Sequence, residues 1–332
     1  MLFEAYRNSY VLSGGEFLKN MYTGVGSLRT THLKKRVVPF TCSANAFNYN
    51  VLLSKMYSEH QERNLIAFKG ETEGEYECIN ILNPSKQVIR IENISYGPSK
   101  SLGFIDTTGT ASGYNNSYNV IIKAVSELLE KNELYLFWYK GMGSKLSIDN
   151  GIYSELRKQN LSQFENHFYL LKNLSNWPTI VHIVFKNKRL IASGICCNPD
   201  INRAVFGAIS EAKTLNFMDM YQKYSCFTPK DCSEDCLYKM LSSTKNEKKI
   251  KFENYNYISN LDIWLSKEIE SMFVGILNVR FHSDQGKTIS VFSPDLLKCV
   301  PTKENLKYCI EIPLLKRYEY FQNNEIPNCL IL

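Results

Sequence analysis

Gly109-Thr110-Ala111-Ser112-Gly113 runs shortly into Ser117-Tyr118-Asn119-Val120-Ile121-Ile122-Lys123-Ala124-Val125-Ser126-Glu127-Leu128-Leu129-Glu130-Lys131. A glycine-bearing stretch gives way to apolar residues at Val120, Ile121, Ala124, Val125, Leu128 and Leu129, the period of a helix with one buried stripe. The pattern predicts a helix over 117–138. Its other side is acidic: Glu127 and Glu130 are three residues apart and share a face, and Lys131 follows at once. At about 100° per residue, Asn119 stands about 80° behind Glu127 around the axis and Glu130 about 60° behind, so the three polar groups line one stripe.

Upstream, residues 42–63 read as another helix, with Ser43 or Asn45 as cap and Phe47, Val51 and Met56 among its apolar positions. It carries Glu59 and Glu62, again three apart, with Arg63 four beyond Glu59. Taken alone, that trio reads as a solvated helix face with a Glu–Arg ion pair. Strand-like runs follow near 64–69, 74–82 and 87–96, with Asn83-Pro84-Ser85 as the turn between the last two. Downstream, Trp177 to Phe185 and Leu190 to Ile195 flank Lys186-Asn187-Lys188 as a hairpin. Its second strand leads to a third helix opening at Asn198-Pro199-Asp200, with Ala204, Val205, Ala208, Ile209 and Ala212 on the buried side and Glu211 turned away. A helix near 259–272 and strands at 273–281 and 288–292 complete the pattern. Mixed helices and hairpins favour an α+β fold, helices layered on mixed and mostly antiparallel sheets, over a doubly wound parallel sheet. No low-complexity linker or solenoid repeat interrupts the chain, so one domain over 1–332 is expected.

Thirty-nine basic residues against 33 acidic leave a net charge of +6, spread in short runs such as Lys34-Lys35-Arg36, a solvated surface rather than a nucleic-acid stripe. No apolar run reaches the roughly 18 residues of a membrane span. Charges also interrupt Met1-Leu2-Phe3-Glu4-Ala5-Tyr6-Arg7. The expectation is a soluble, cytoplasmic protein with neither membrane nor nucleic acid as partner. Ten cysteines scattered in apolar surroundings suit a reducing compartment. Cys226, Cys232 and Cys236 lie close together but lack zinc-knuckle spacing and a histidine neighbour. Cys329-Leu330-Ile331-Leu332 satisfies a prenylation box without the polybasic run that usually precedes one.

Carboxylates offered by three helices, at Glu59 and Glu62, Glu127 and Glu130, and Glu211, are costly to bury together unless cations compensate them. Hard oxygen donors suit magnesium with phosphate oxygens, so a magnesium-nucleotide site would relieve the repulsion. The usual phosphate cradle is missing: Gly141-Met142-Gly143-Ser144-Lys145 lacks P-loop spacing and reads as a loop. His32, His60, His167, His182 and His282 form no metal-ligand pair, and His182 sits mid-strand as a satisfied core residue. Cys196 and Cys197 read as small buried hydrophobes. No residue is assigned as catalytic acid, base or nucleophile.

Together these segments resemble the YcaO family. Gly109–Gly113 ahead of Glu127-Leu128-Leu129-Glu130-Lys131-Asn132-Glu133, with Phe137-Trp138 beyond, is similar to a signature of a Gly-x-Ala-x-Gly turn, a Glu-x-x-Glu-Arg-Asp helix and a trailing Trp. Ser58 to Arg63 is similar to the family's earlier Glu-x-x-Glu-Arg helix. Gly194 to Glu211 resembles the later segment in which Pro and Asp open a helix with an Ala-x-x-Glu element, and Ser293-Pro294-Asp295-Leu296 resembles a Pro-containing element near the family's C-terminus. The short length and the run Leu134-Tyr135-Leu136-Phe137-Trp138-Tyr139 look most like the cyclodehydratase subunit of azole-forming microcin synthetases.

The resemblance implies a YcaO-like α+β fold with ATP and Mg2+ as cofactors. It implies that Glu59, Glu62, Glu127 and Glu130 hold magnesium, and that Arg63, Asn119, Lys131 and Glu211 complete the nucleotide site. The implied activity is ATP-dependent activation of backbone amides in a ribosomally made, bacteriocin-like peptide, with cyclodehydration of Cys, Ser or Thr to azolines inside a multisubunit synthetase. Thioamide formation and a non-catalytic, peptide-binding scaffold are the alternatives. The implied partners are the precursor peptide, a leader-recognising protein of ubiquitin-activating-enzyme-like or related type, and a flavin dehydrogenase. Four residues depart from the family pattern: Asn119 for a carboxylate, Lys131 for arginine, and Thr214 and Asn216 for the usual Gln and Arg. The family's proline-rich tail is also lacking in Ile326-Pro327-Asn328-Cys329-Leu330-Ile331-Leu332.

Overall fold

A computed structural model describes residues 10–12, 21–27, 32–33, 36–37, 41–69, 75–83, 86–90, 94–113, 116–221, 230–243, 247–248, 265–277, 286–319 and 326–331. Helices and mostly antiparallel sheets make it α+β, as the pattern predicts. Among the described strands the parallel pairing is Ser144–Leu146 with Glu247–Lys248. Two compact units emerge, one drawn from 1–128, 267–300 and 304–320, the other from 129–266, 301–303 and 321–332. The division falls within the long helix Ser117–Lys140, between Leu128 and Leu129. No helix among the described residues is long and apolar enough to cross a membrane.

In the first unit, helix α1 (Tyr49–Lys69) lies against the strand Thr41–Ala46, where Leu52 and Met56 bury themselves on Cys42, Ala44 and Ala46. The helix expected over 42–63 is therefore displaced. Ser43 and Asn45 belong to the strand, and the cap is Asn48, whose side-chain oxygen accepts the N–H of Asn50 at 2.8 Å and of Val51 at 3.3 Å. Phe47 and Val51, expected on the apolar face, are about half exposed at 52% and 48%. The strand expected at 64–69 is the last part of α1, because Leu65 and Ile66 complete its buried face against Cys78, Ile105 and Phe273.

A five-stranded antiparallel sheet runs in the order Thr110–Gly113, Lys287–Phe292, Phe273–Ile276, Glu75–Asn80, Lys86–Arg90. The strand expected over 87–96 ends at Arg90, residues 91–93 lie outside the described set, and Pro84 and Ser85 of the expected turn do too. Of the helix expected near 259–272, residues 259–264 lie outside the described residues. The remainder is not helical, because its backbone bonds elsewhere: the Asp295 carboxylate takes the N–H of Glu270 at 2.9 Å. In the second unit the N–H of Ser266 donates to the Leu174 carbonyl at 2.8 Å.

Helix α2 (Ser117–Lys140) matches its expected start and runs two residues past its expected end, with Val120, Ala124, Val125, Leu128 and Leu129 buried. Gly141, at φ +63, stops it. Ser144 and Lys145, expected in a loop, begin a strand. The second unit's sheet runs Arg189–Cys197, Thr179–Lys186, Glu165–Leu171, Ser144–Leu146, Glu247–Lys248. The expected hairpin is present, turned by Asn187 and Lys188 at φ 52 and 65. Helices α3 (Asn150–Lys158), α4 (Ile201–Tyr221) and α5 (Glu234–Ser242) accompany this sheet. α4 packs so closely on the hairpin that a Cβ on Gly194 would stand 2.0 Å from the Ala208 carbonyl oxygen.

Candidate functional site

Within the first unit the acidic residues of α1 face inward rather than to solvent. The Glu59 carboxylate takes a 2.6 Å bond from Arg63 and a 2.8 Å bond from the backbone N–H of Ser43. Burial raises its pKa, with Glu62 adding in the same sense and Arg63 and the Ser43 N–H working against it. Such a carboxylate gains from a nearby cation. Glu62 is 7% exposed and its Oε1 accepts from two elements at once, the N–H of Ser112 and the ammonium of Lys123, both at 2.8 Å. One carboxylate thereby ties α1 to the Gly109–Gly113 segment and to α2. Lys123 in turn feels the charge of Glu127 one turn along α2. Asn119, one turn before Lys123, is exposed.

Within the second unit Glu130 bonds Lys131 at 2.9 Å and accepts the N–H of Cys197 at 3.2 Å. Glu211 of α4 accepts the N–H of Ile195 at 2.5 Å. Arg189–Cys197 is an edge strand, so these two carboxylates cap two outward N–H groups that would otherwise be left open. Thr214 bonds back to the Ser210 carbonyl at 3.1 Å, and Asn216 is buried. The thiols of Cys196 and Cys197 are pushed up by burial, with Glu130 adding to it, and so remain protonated. His182 is fully buried and neutral, its Nε2 2.9 Å from Asn166 Oδ1, as its mid-strand position predicts. Cys329 is buried, which closes it to lipidation; Cys226 lies outside the described residues.

Glu59, Glu62, Arg63, Asn119 and Glu127 thus belong to the first unit, and Glu130, Lys131 and Glu211 to the second. Among the described residues no group of three or more His, Cys, Asp or Glu stands where it could hold a metal ion. Glu59, Glu62, Glu130 and Glu211 are instead matched to protein cations and N–H groups, while the Oε2 of Glu127 is buried and accepts no hydrogen bond from the described residues. Within the first unit the donor chemistry still fits magnesium and a polyphosphate: hard oxygens beside Arg63 and Lys123, with Glu59 already penalised by burial.

Three residues escaped the sequence reading. Lys123 lies on the same face as Glu127, four residues before it, and that spacing was the available signal. Glu133 is fully buried and accepts from the N–H groups of Asn173 and Leu174 and the Asn173 amide at 2.6–2.7 Å, fixing a loop rather than facing a ligand. Lys298 is fully buried inside Leu296-Leu297-Lys298-Cys299-Val300, where a lone charge in an apolar run was the sign.

The sequence matches the family model described as YcaO cyclodehydratase, ATP- and Mg2+-binding, over residues 84–260, more than half of the 332. No curated protein matches it. Among solved structures, the YcaO protein of Methanopyrus kandleri bound with AMPPCP and Mg2+ is similar in fold at a TM-score of 0.70 and 11% identity, over 90% of this chain and 88% of that one. A chain of the E. coli microcin synthetase McbBCD complex aligns at 0.63 and 13%, over 87% and 88%. A heterocyclase in complex with substrate and cofactor aligns at 0.63 and 11%, over 95% of this chain and 55% of that one. The family match covers α2, the hairpin and α4, and with this fold around them the chain belongs to the YcaO family of ATP- and Mg2+-binding cyclodehydratases.

Proposed function

We propose that this chain is the amide-activating subunit of a synthetase that forms azolines in a ribosomally made peptide. What supports this reading most is the junction at Glu62, where one buried carboxylate joins α1, the Gly109–Gly113 segment and α2. The fold similarity to a microcin synthetase chain and to a heterocyclase points the same way. In this proposal one YcaO-like domain spans 1–332, Glu59, Glu62, Glu127 and Glu130 hold magnesium, Arg63 and Lys131 neutralise phosphate charge, and Asn119 and Glu211 border the nucleotide.

When bound, magnesium-ATP supplies the phosphoryl group that makes an amide oxygen a leaving group. In the substrate, a Cys, Ser or Thr side chain adds to the preceding carbonyl carbon through its S or O, forming one bond. The carbon–oxygen bond then breaks, the oxygen leaves as part of phosphate, and the nucleophile and the amide nitrogen each give up a proton, so the net loss is one water. A leader-recognising partner delivers the precursor peptide, and a flavin dehydrogenase would oxidise the product azoline.

The test is the purified chain with its partner, precursor peptide and magnesium-ATP. Phosphate release should depend on peptide, and the peptide should lose the mass of one water per ring. Peptide of unchanged mass alongside phosphate release would count against azoline formation, whereas a gain equal to the mass difference between sulfur and oxygen, seen only when a sulfide donor is added, would point to thioamide chemistry.

A second reading, a peptide-binding subunit without turnover, is favoured by Thr214, whose hydroxyl is bonded to its own helix, and by the exposed Asn119 in place of a carboxylate. Peptide-dependent phosphate release that disappears in Glu127→Ala would rule it out.

A further inference from the structure

Lys298 follows the strand Lys287–Phe292 in the first unit and is 0% exposed. Its ammonium donates to the carbonyl of Thr108, to the carbonyl of Val291 at 2.9 Å and toward the hydroxyl of Thr110 at 3.4 Å. These acceptors bracket Gly109, which has φ +68 and whose absent Cβ would stand 3.2 Å from the ammonium and 2.6 Å from the Val291 carbonyl oxygen. The backbone is stitched as well: Val291 N–H donates to Gly109 at 2.7 Å, and Asp106 N–H donates to the Lys298 carbonyl at 3.0 Å.

None of the ammonium's hydrogen-bond partners is a carboxylate, yet it lies against α2 at the residue after Glu127: a Cβ on Gly109 would stand 3.2 Å from both the ammonium and the Leu128 Cβ, and the charges of Glu127 and Asp106 oppose the effect of burial on the ammonium. A buried cation satisfied only by neutral oxygens is an expensive way to close a turn, since an apolar side chain would avoid the desolvation. Its worth must lie in where the charge is placed. Ser112, further along the same segment, donates its N–H to Glu62, so the segment that Lys298 clamps at one end is held by the α1 carboxylate at the other.

We infer that Lys298 is a positioning residue: it clamps the Gly109 turn and sets a positive charge beside Glu127, fixing that carboxylate for a magnesium-nucleotide. This rests on the nucleotide reading of Glu127. The experiment is a cycle of Lys298→Met, Glu127→Gln and the double variant, read as magnesium-ATP affinity by calorimetry and as urea midpoint. Lys298→Met should weaken magnesium-ATP binding on the order of tenfold in the native background and have much less effect once Glu127 is Gln. Lys298→Arg, which keeps the charge, should recover part of the affinity. Effects that simply multiply, or native affinity in Lys298→Met, would overturn the inference.

If the native chain binds no magnesium-ATP, the nucleotide reading fails by itself. The urea cycle, which needs no nucleotide, then decides: a Met penalty relieved by Glu127→Gln keeps the Lys298–Glu127 coupling, and strict additivity removes it. Where Lys298→Met does not fold, the same cycle is run with Lys298→Gln, which removes the charge but keeps a donor for the turn, and its outcomes are read in the same way.

Discussion

Glu62 concentrates much of the first unit's polar organisation in one side chain, and its two partners are separable. Glu62→Ala orphans the Ser112 N–H and leaves Lys123 without its ion pair, which should cost about 1–3 kcal/mol in urea unfolding. Glu62→Gln keeps an acceptor for Ser112 and loses only the pair to Lys123, whose side chain is 56% exposed, so solvent screening makes its loss the smaller of the two. Equal penalties for the two variants would show that the ion pair, not the backbone contact, holds the junction. His182 gives a pH signature. Asn166 spends its amide protons on the carbonyls of Leu161 and Phe164, so its oxygen is left to accept from His182 Nε2. Burial lowers the His182 pKa from 6.5 to about 3, so below pH 6.5 the unfolded chain takes a proton that the folded chain refuses. Stability from this group is complete above 6.5 and falls as pH drops toward 3, by at most about 1.4 kcal/mol per pH unit. Glu59 and Glu133, raised by burial, act in the opposite sense. The check is therefore the difference between wild type and His182→Gln, whose urea midpoint should fall less steeply on acidification.

Helix α4 and its hairpin show how a close approach fixes an element. A methyl group at Gly194 would meet the Ala208 carbonyl at 2.0 Å and the Ala212 nitrogen at 2.6 Å, both backbone. No rotamer change relieves that contact, so Gly194→Ala should cost about 3 kcal/mol or more and lower the melting temperature by several degrees. Wild-type melting would mean that α4 sits further from the strand. The same elements mark the reach of sequence reading. α2 and α4 have unbroken apolar stripes and the hairpin has a two-residue turn at positive φ, so local pattern and tertiary packing agree. Where they disagree, boundaries moved. Cys42, Ala44 and Ala46 fit the alternation of a strand as well as a helical start, and only their packing under Leu52 and Met56 selects the strand. Leu65 and Ile66 look like strand residues until Phe273, far along the chain, supplies the surface they cover as helix. The proposed site is legible only as carboxylates in a pattern, because spacing on a helix is local. Lys298 is not, because its acceptors at Thr108, Thr110 and Val291 are brought to it by the sheet.

At the scale of the whole molecule, the proposal for nucleotide and metal becomes a statement about stability. A ligand that binds only the folded chain stabilises it by about 2.7 kcal/mol at a hundredfold excess over Kd. For a chain of this size that corresponds to a rise in melting temperature of roughly 4 °C. On that proposal the triphosphate alone would bring negative charge to Glu59, Glu62, Glu127 and Glu130, so without a divalent cation like charges would oppose it. Magnesium reverses that sign, because oxygen ligands from protein and phosphate then share one cation. The expected thermal scan therefore has three parts: no shift with magnesium alone, little with ATP and a chelator, and the full rise with both. The rise should shrink in Glu127→Ala and in Glu130→Ala when each is compared with its own ligand-free melting point, which removes the cost of the substitution itself. An equal shift with ATP in chelator would assign nucleotide binding to the basic side chains and take magnesium away from the four glutamates.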